Sequence, residues 1–106
     1  MIGQHLILEH WGGVTEAGAV TDALHAAARA AGATVLSGHF HPFHGGGVTG
    51  VLLLAESHIT VHTWPERDYA ALDLFMCGRA DVEAAADRLD ALLTPARTSR
   101  QIIARG

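Results

Sequence analysis

The chain has 106 residues, 49% of them hydrophobic and 17% charged, which fits one small globular domain and excludes a disordered segment. The net charge of −4, with no basic run, argues against a nucleic-acid partner. A single cysteine excludes an internal disulfide, and no apolar run approaches the roughly 20 residues of a membrane span, so we expect a cytoplasmic protein. The charged fraction is below the usual value of about 25%, and therefore predicts that a second copy covers part of the surface.

The N-terminal half of the chain is typical of a strand, a helix and two more strands. The predicted elements are a strand over 3–10, a helix over 14–31, and strands over 33–43 and 48–55. Apolar residues recur at helical spacing from Val20 to Ala31, and Gly32 has the position of a C-terminal helix cap. The strand over 48–55 is apolar on both faces, a pattern typical of strands that are covered on both sides.

The C-terminal half continues with strands and one helix. The predicted elements are strands over 58–63 and 69–77, a helix over 79–94, and a short strand over 99–104. Pro65 ends the first of these strands, and Asp81 is suited to cap the start of the helix.

The predicted order β-α-β-β-β-α-β places strands next to each other in sequence, which favours a largely antiparallel sheet. Two helices can cover only one face of that sheet. We therefore predict an α/β chain of the α+β type, a two-layer sandwich forming a single domain over 1–106. A homodimer with the two sheets face to face, a four-layer αββα sandwich, would cover the second face of strand 48–55.

Three chemically reactive side chains lie within one segment of 21 residues. Ser57, His62 and Cys77 offer a hydroxyl, an imidazole and a thiol for nucleophilic or acid–base chemistry. Each also has a purely structural interpretation, as a turn residue, a hydrogen-bonded core histidine and a small buried thiol. Strand alternation predicts that Ser57 and His62 point to opposite faces, so the chain must break register at Glu56–Ser57 if they are to meet.

The eight histidines allow a competing interpretation. His39 and His41 share one face of a predicted strand, His58 and His62 share a face of another, and His44 lies in a glycine loop. Imidazoles on adjacent strands can hold a transition metal. No acidic ligand lies at a suitable spacing, so we predict no metal and keep a histidine-rich metal-binding protein as a remote alternative.

The run from Glu56 to Glu66, ESHITVHTWPE, followed by Cys77-Gly78, resembles the prokaryotic S-adenosylmethionine decarboxylase proenzymes. The resemblance covers nearly the whole chain. It includes two residues of the first strand and an aromatic pair before the glycine loop: His5, Glu9, Phe40 and Phe43.

The resemblance implies a self-processing, pyruvoyl-dependent decarboxylase. In this family the hydroxyl matching Ser57 attacks the carbonyl matching Glu56, and the imidazole matching His62 is the base for elimination of the ester. The expected products are a β chain, 1–56, and an α chain, 57–106, with a pyruvoyl group at position 57. The pyruvoyl ketone condenses with the substrate amine and accepts electrons, and Cys77 is expected to protonate the decarboxylated carbon.

The resemblance also implies the substrate. Thr49, where many members have serine, is expected to support processing, Phe43 to stack on adenine, and Glu66 to bind ribose hydroxyls, with Glu9 as a further candidate. S-adenosylmethionine is then the substrate, decarboxylated for spermidine synthesis. Three glycines at 45–47 leave the pocket's shape open, so ornithine or arginine stays an alternative, with Glu9, Glu66 or Asp68 pairing with the distal cation. A non-catalytic homologue is the remaining possibility.

Overall fold

Six antiparallel strands form one sheet, and two α-helices pack on one of its faces, in the computed structural model, which describes all 106 residues. In chain order the elements are β1 (Gly3–Trp11), α1 (Ala17–Ala31), β2 (Val35–Pro42), β3 (Val48–Leu54), β4 (Ser57–Trp64), β5 (Tyr69–Cys77), α2 (Val82–Leu93) and β6 (Arg97–Arg105). The strand order across the sheet is β2-β3-β4-β5-β1-β6. The predicted two-layer α+β architecture and the order of its elements are confirmed.

Both helices begin three residues later than predicted because a carboxylate caps each of them. The Glu16 carboxylate accepts hydrogen bonds from the backbone N–H groups of Gly18 and Ala19, at 2.8 and 2.9 Å, so α1 begins at Ala17 rather than at residue 14. Asp81 caps α2 as predicted. Gly32 ends α1 in the left-handed conformation, with φ +75°.

Where a strand's ends differ from the prediction, they follow long-range pairing rather than the local sequence pattern. The predicted strand over 69–77 matches β5, whereas β6 is longer than the predicted 99–104. It extends because it pairs with the whole of β1, from Gly3 opposite Arg105 to Trp11 opposite Arg97. The strand predicted over 33–43 is shorter, since β2 starts at Val35.

The hydrophobic core lies between the sheet and the helices, and alternate residues of the four inner strands, β3, β4, β5 and β1, point into it. Its fully buried side chains include Leu6, Leu8, Leu24, Leu52, Ile59, Leu72, Leu74 and Leu89. The sheet face away from the helices, called the open face below, has no covering layer in this chain. Leu53 and Ile103 on that face are 48% and 45% exposed, and a second copy covering them stays a prediction. Neither helix is long and apolar enough to cross a membrane.

Candidate active site

A two-residue turn between β3 and β4 carries the bond that the sequence predicts to break. Ala55 and Glu56 form the turn, and Leu54 pairs with Ser57 across it. Glu56 has φ +58°, the left-handed conformation, which is strained for a residue with a side chain. The Glu56–Ser57 bond therefore lies at a strained hairpin at one end of the sheet.

Ser57 and Cys77 lie together at this turn. The Ser57 hydroxyl, on a residue only 6% exposed, accepts a hydrogen bond from the Cys77 backbone N–H at 3.3 Å, and its Oγ lies 3.9 Å from the Cys77 Sγ. The thiol donates a 2.8 Å hydrogen bond to the Glu56 carbonyl oxygen. A donor on that oxygen polarises the carbonyl toward attack by a neighbouring nucleophile. Three of the predicted residues thus share one small site.

His62 lies away from the site that Glu56, Ser57 and Cys77 form. It points from the open face of β4, whereas Ser57 points toward the helices, and five residues of strand separate them by about 16 Å. The His62 Nδ1 is 3.0 Å from the Thr49 hydroxyl on the paired strand, and its ring stacks on Trp64 with centroids 6.0 Å apart. The turn at Glu56 does not bring Ser57 and His62 together within one chain, contrary to what that role of His62 requires.

Phe43 and Glu66 border one cavity of about 300 Å³, which Thr49, His62 and Trp64 also line. Phe43, at the end of β2, is 54% exposed, so its ring is available for stacking. Its backbone N–H donates to the Gly47 carbonyl at 2.8 Å, closing the glycine loop. This cavity joins an aromatic surface, a carboxylate and the Thr49–His62 pair.

Glu9 lies outside this cavity, on β1. Its carboxylate accepts a 2.5 Å hydrogen bond from the Tyr69 hydroxyl, and this bond is the main reason why the pKa of Tyr69 is raised to about 12. Glu9 borders a different cavity, with Trp11, Arg67 and Tyr69. The structure therefore separates Glu9 from the two other residues predicted to bind substrate.

The predicted histidine pairs do lie on the open face. His39, His41 and His62 border one shallow cavity, while His58 is next to His5, with ring centroids 6.4 Å apart. In residues 1–106 no group of three or more His, Cys, Asp or Glu side chains is arranged to hold a metal ion.

A further cavity, of about 520 Å³, lies beside the Glu56–Ser57 turn, and no feature of the sequence indicated it. Its lining consists of Leu53, Leu54, Glu56, Ser57, His58, Phe75 and Arg105. The His58 ring stacks on Phe75 with centroids 5.8 Å apart, and burial, with His5 nearby, lowers the pKa of His58. Arg105 belongs to the last strand, and only the sheet order brings it here.

Several known proteins are similar to this chain in sequence and in fold. Residues 4–106 match the family model of S-adenosylmethionine decarboxylase. The S-adenosylmethionine decarboxylase proenzyme of Methanococcus maripaludis is 41% identical over 99% of this chain and 90% of that protein. The proenzyme of the same name from Methanococcus aeolicus is 42% identical over 99% and 94%. The crystal structure of adenosylmethionine decarboxylase from Aquifex aeolicus superposes with a TM-score of 0.89, at 33% identity, over 99% of this chain and 91% of that one.

The fold and its structural relative define a small α+β decarboxylase, in which a serine and a cysteine lie together at a strained hairpin. The chain belongs to the S-adenosylmethionine decarboxylase family. The relatives reported above give the ornithine or arginine alternative no support.

Proposed function

We propose that this protein cleaves itself between Glu56 and Ser57 and then decarboxylates S-adenosylmethionine with a pyruvoyl group made from Ser57. The observation that carries the proposal is the 2.8 Å hydrogen bond from the Cys77 thiol to the Glu56 carbonyl, beside the Ser57 hydroxyl. Nucleophile, polarised carbonyl and thiol meet there at a left-handed residue. The names and structure of its relatives support the substrate.

Self-cleavage follows from groups at the turn. The Ser57 Oγ attacks the Glu56 carbonyl carbon, the amide C–N bond breaks, and the hydroxyl proton passes to the freed nitrogen. A base then removes the Cα proton of residue 57, the Cβ–O bond breaks, and Glu56 leaves as a carboxylate. The dehydroalanine at position 57 takes up water and releases ammonia, which leaves the pyruvoyl group.

The base is expected to come from a second copy of the chain. A general base acts within about 3 Å of the proton it removes, and His62 of the same chain lies about 16 Å from Ser57. The exposed apolar residues of the open face favour the predicted face-to-face homodimer. In that dimer we assign removal of the proton to the partner subunit's His62, oriented by the partner subunit's Thr49.

Two inactive variants test this shared site. Chains carrying Ser57→Ala or His62→Ala are each expected to stay uncleaved when expressed alone. Expressed together, they form mixed dimers in which one site is complete, so the His62→Ala chain is expected to be cleaved. Absence of cleavage in a verified mixed dimer would contradict the shared site.

The mature site fits the proposed chemistry. A pyruvoyl ketone supplies an electron sink for the carbanion that decarboxylation leaves. The turn residue 57 opens onto the cavity of about 520 Å³, which has room for a substrate. The Cys77 thiol, with its Sγ 3.9 Å from the Ser57 Oγ, is expected to deliver the proton to the substrate Cα. The cavity bordered by Phe43, Trp64 and Glu66 suits an adenine ring and ribose hydroxyls, and because His62 also lines it, the proposed dimer would bring the partner subunit's copy of this cavity to residue 57.

Electrophoresis and carbon dioxide release test the function directly. The wild type is expected to give chains 1–56 and 57–106 and to release carbon dioxide from S-adenosylmethionine. The Ser57→Ala variant is expected to remain one chain without activity, whereas Ser37→Ala, on the edge strand β2, is expected to behave as wild type. An uncleaved wild type that still releases carbon dioxide would overturn the proposal.

A further inference from the structure

The last strand brings a guanidinium group to the turn that is cleaved. Arg105 on β6 pairs with Gly3 on β1, and Gly3 pairs with Cys77 on β5, so the three residues form one row across the sheet. Two strand spacings place the Cα atoms of Arg105 and Cys77 about 10 Å apart. Arg105 borders the same cavity as Glu56 and Ser57.

Gly3 keeps the space between Arg105 and Cys77 free of a side chain. A Cβ atom at Gly3 would lie 3.1 Å from the Phe75 ring and 3.2 Å from the Cys77 Cβ, so even a methyl group would crowd this part of the open face. The Arg105 side chain extends over the neighbouring strands. Its guanidinium carbon lies 5.9 Å from the Phe75 ring centroid, and its Nη1 lies 3.4 Å from the His5 Nδ1.

The charge of Arg105 has no carboxylate partner in the chain. Arg100 on the same strand contacts Asp87 and Asp90 at 2.7 and 2.9 Å, whereas no carboxylate lies within 4.0 Å of Arg105. His58, the other basic group on the cavity lining, is held toward its neutral form by burial. Arg105 is therefore the one permanent positive charge on that lining.

Self-cleavage adds a main-chain carboxylate at Glu56, beside the carboxylate of its side chain. Glu56 enters the elimination step as a neutral ester and leaves as the C-terminal carboxylate of the 1–56 chain, because the electrons of the Cβ–O bond move to its oxygen. A fixed positive charge beside a developing carboxylate stabilises the transition state and holds the product. We propose that Arg105 stabilises the Glu56 carboxylate as it leaves and then binds it in the mature enzyme; this rests on the self-cleavage proposed above.

Time courses of cleavage in freshly translated chains test the role of Arg105, and parallel samples treated with hydroxylamine, which cleaves an ester to a hydroxamate, reveal any ester that accumulates. Arg105→Gln is expected to slow cleavage by about 10- to 100-fold, toward the lower end of the cost of losing a charge-stabilising group. It is also expected to accumulate a hydroxylamine-sensitive ester at Glu56. Arg105→Lys is expected to restore most of the rate because it keeps the charge.

Arg97→Gln is the matched control, since Arg97 lies on the same strand and face, eight residues or about 26 Å away. It is expected to cleave as wild type. Melting temperatures of the variants establish that each is folded. Cleavage of Arg105→Gln at the wild-type rate, a block without ester, or an effect confined to the KM for substrate would each overturn the assignment. A wild type that never cleaves would instead overturn the proposed function.

Discussion

The Cys77 thiol donates a 2.8 Å hydrogen bond to the Glu56 carbonyl oxygen, across 21 residues of sequence. Pairing of β4 with β5 brings the thiol to the turn, while the β3–β4 hairpin sets the position of the carbonyl. Under the proposed function, this contact gives one side chain two successive roles. The thiol would polarise the carbonyl before cleavage and would be free to act as an acid on substrate once that carbonyl has been converted.

Replacing Cys77 with alanine is expected to separate these two roles. Loss of one neutral hydrogen bond, about 0.5–1.5 kcal/mol, should slow self-cleavage by roughly 2- to 10-fold. Loss of the general acid should lower decarboxylation by about 10²- to 10⁴-fold. Both rates are measured on the same preparation. An unchanged decarboxylation rate would show that Cys77 only packs against the turn.

The left-handed conformation of Glu56 gives a prediction about the rate of cleavage. Glycine adopts φ +58° without strain, so Glu56→Gly should stabilise the uncleaved chain by about 1 kcal/mol and slow cleavage by up to about fivefold. Glu56→Gln keeps the strain and removes the charge, so it should cleave faster than Glu56→Gly. Thr94→Gly relieves a similar conformation, φ +47°, far from the turn, and should raise the melting temperature without changing cleavage.

The parts of the fold set by local pattern could be predicted from sequence. The alternation along β5 predicted that strand's bounds, and Asp81 was recognised as the cap of α2 although the helix was predicted to begin at residue 79. The alternation of β4 also placed Ser57 and His62 on opposite faces, as observed. No register break lets them meet within one chain, because the turn ends at Glu56 and β4 is regular from Ser57 onward.

The neighbours of the site could not be predicted, because they depend on the order of strands in the sheet. Nothing local to Arg105 indicates that β6 pairs with β1 and thereby lies two strands from Cys77. Glu9 was grouped with the substrate-binding residues, yet its carboxylate binds the Tyr69 hydroxyl, 60 residues away in sequence. Such contacts follow from tertiary pairing, which composition and periodicity do not encode.

The Glu9–Tyr69 hydrogen bond predicts an unusual tyrosine titration. Glu9 favours the neutral phenol and raises the pKa of Tyr69 to about 12, so the stability it contributes is present below pH 10 and is lost as the pH rises through about 12. Glu9→Gln should move the pKa of Tyr69 down toward 10. Ultraviolet absorbance of the phenolate measures it, since Tyr69 is the only tyrosine. An unshifted titration in the wild type would contradict the contact.

Substitutions at Phe43 and Glu66 are expected to weaken substrate use without affecting cleavage, because both residues border the cavity of about 300 Å³ and neither contacts the turn. Phe43→Ala should lose the stacking of adenine, about 1–3 kcal/mol, or roughly 5- to 150-fold in kcat/KM. Glu66→Gln should raise the KM through the ribose hydroxyls. Leu36→Ala, an equally exposed apolar change on β2, is the control and should change neither. Carbon dioxide release is measured with S-adenosylmethionine, ornithine and arginine, each at saturating concentration, to identify the substrate. Turnover of ornithine or arginine alone would contradict the assignment of the adenine pocket. It would leave the proposed cleavage at Ser57 intact.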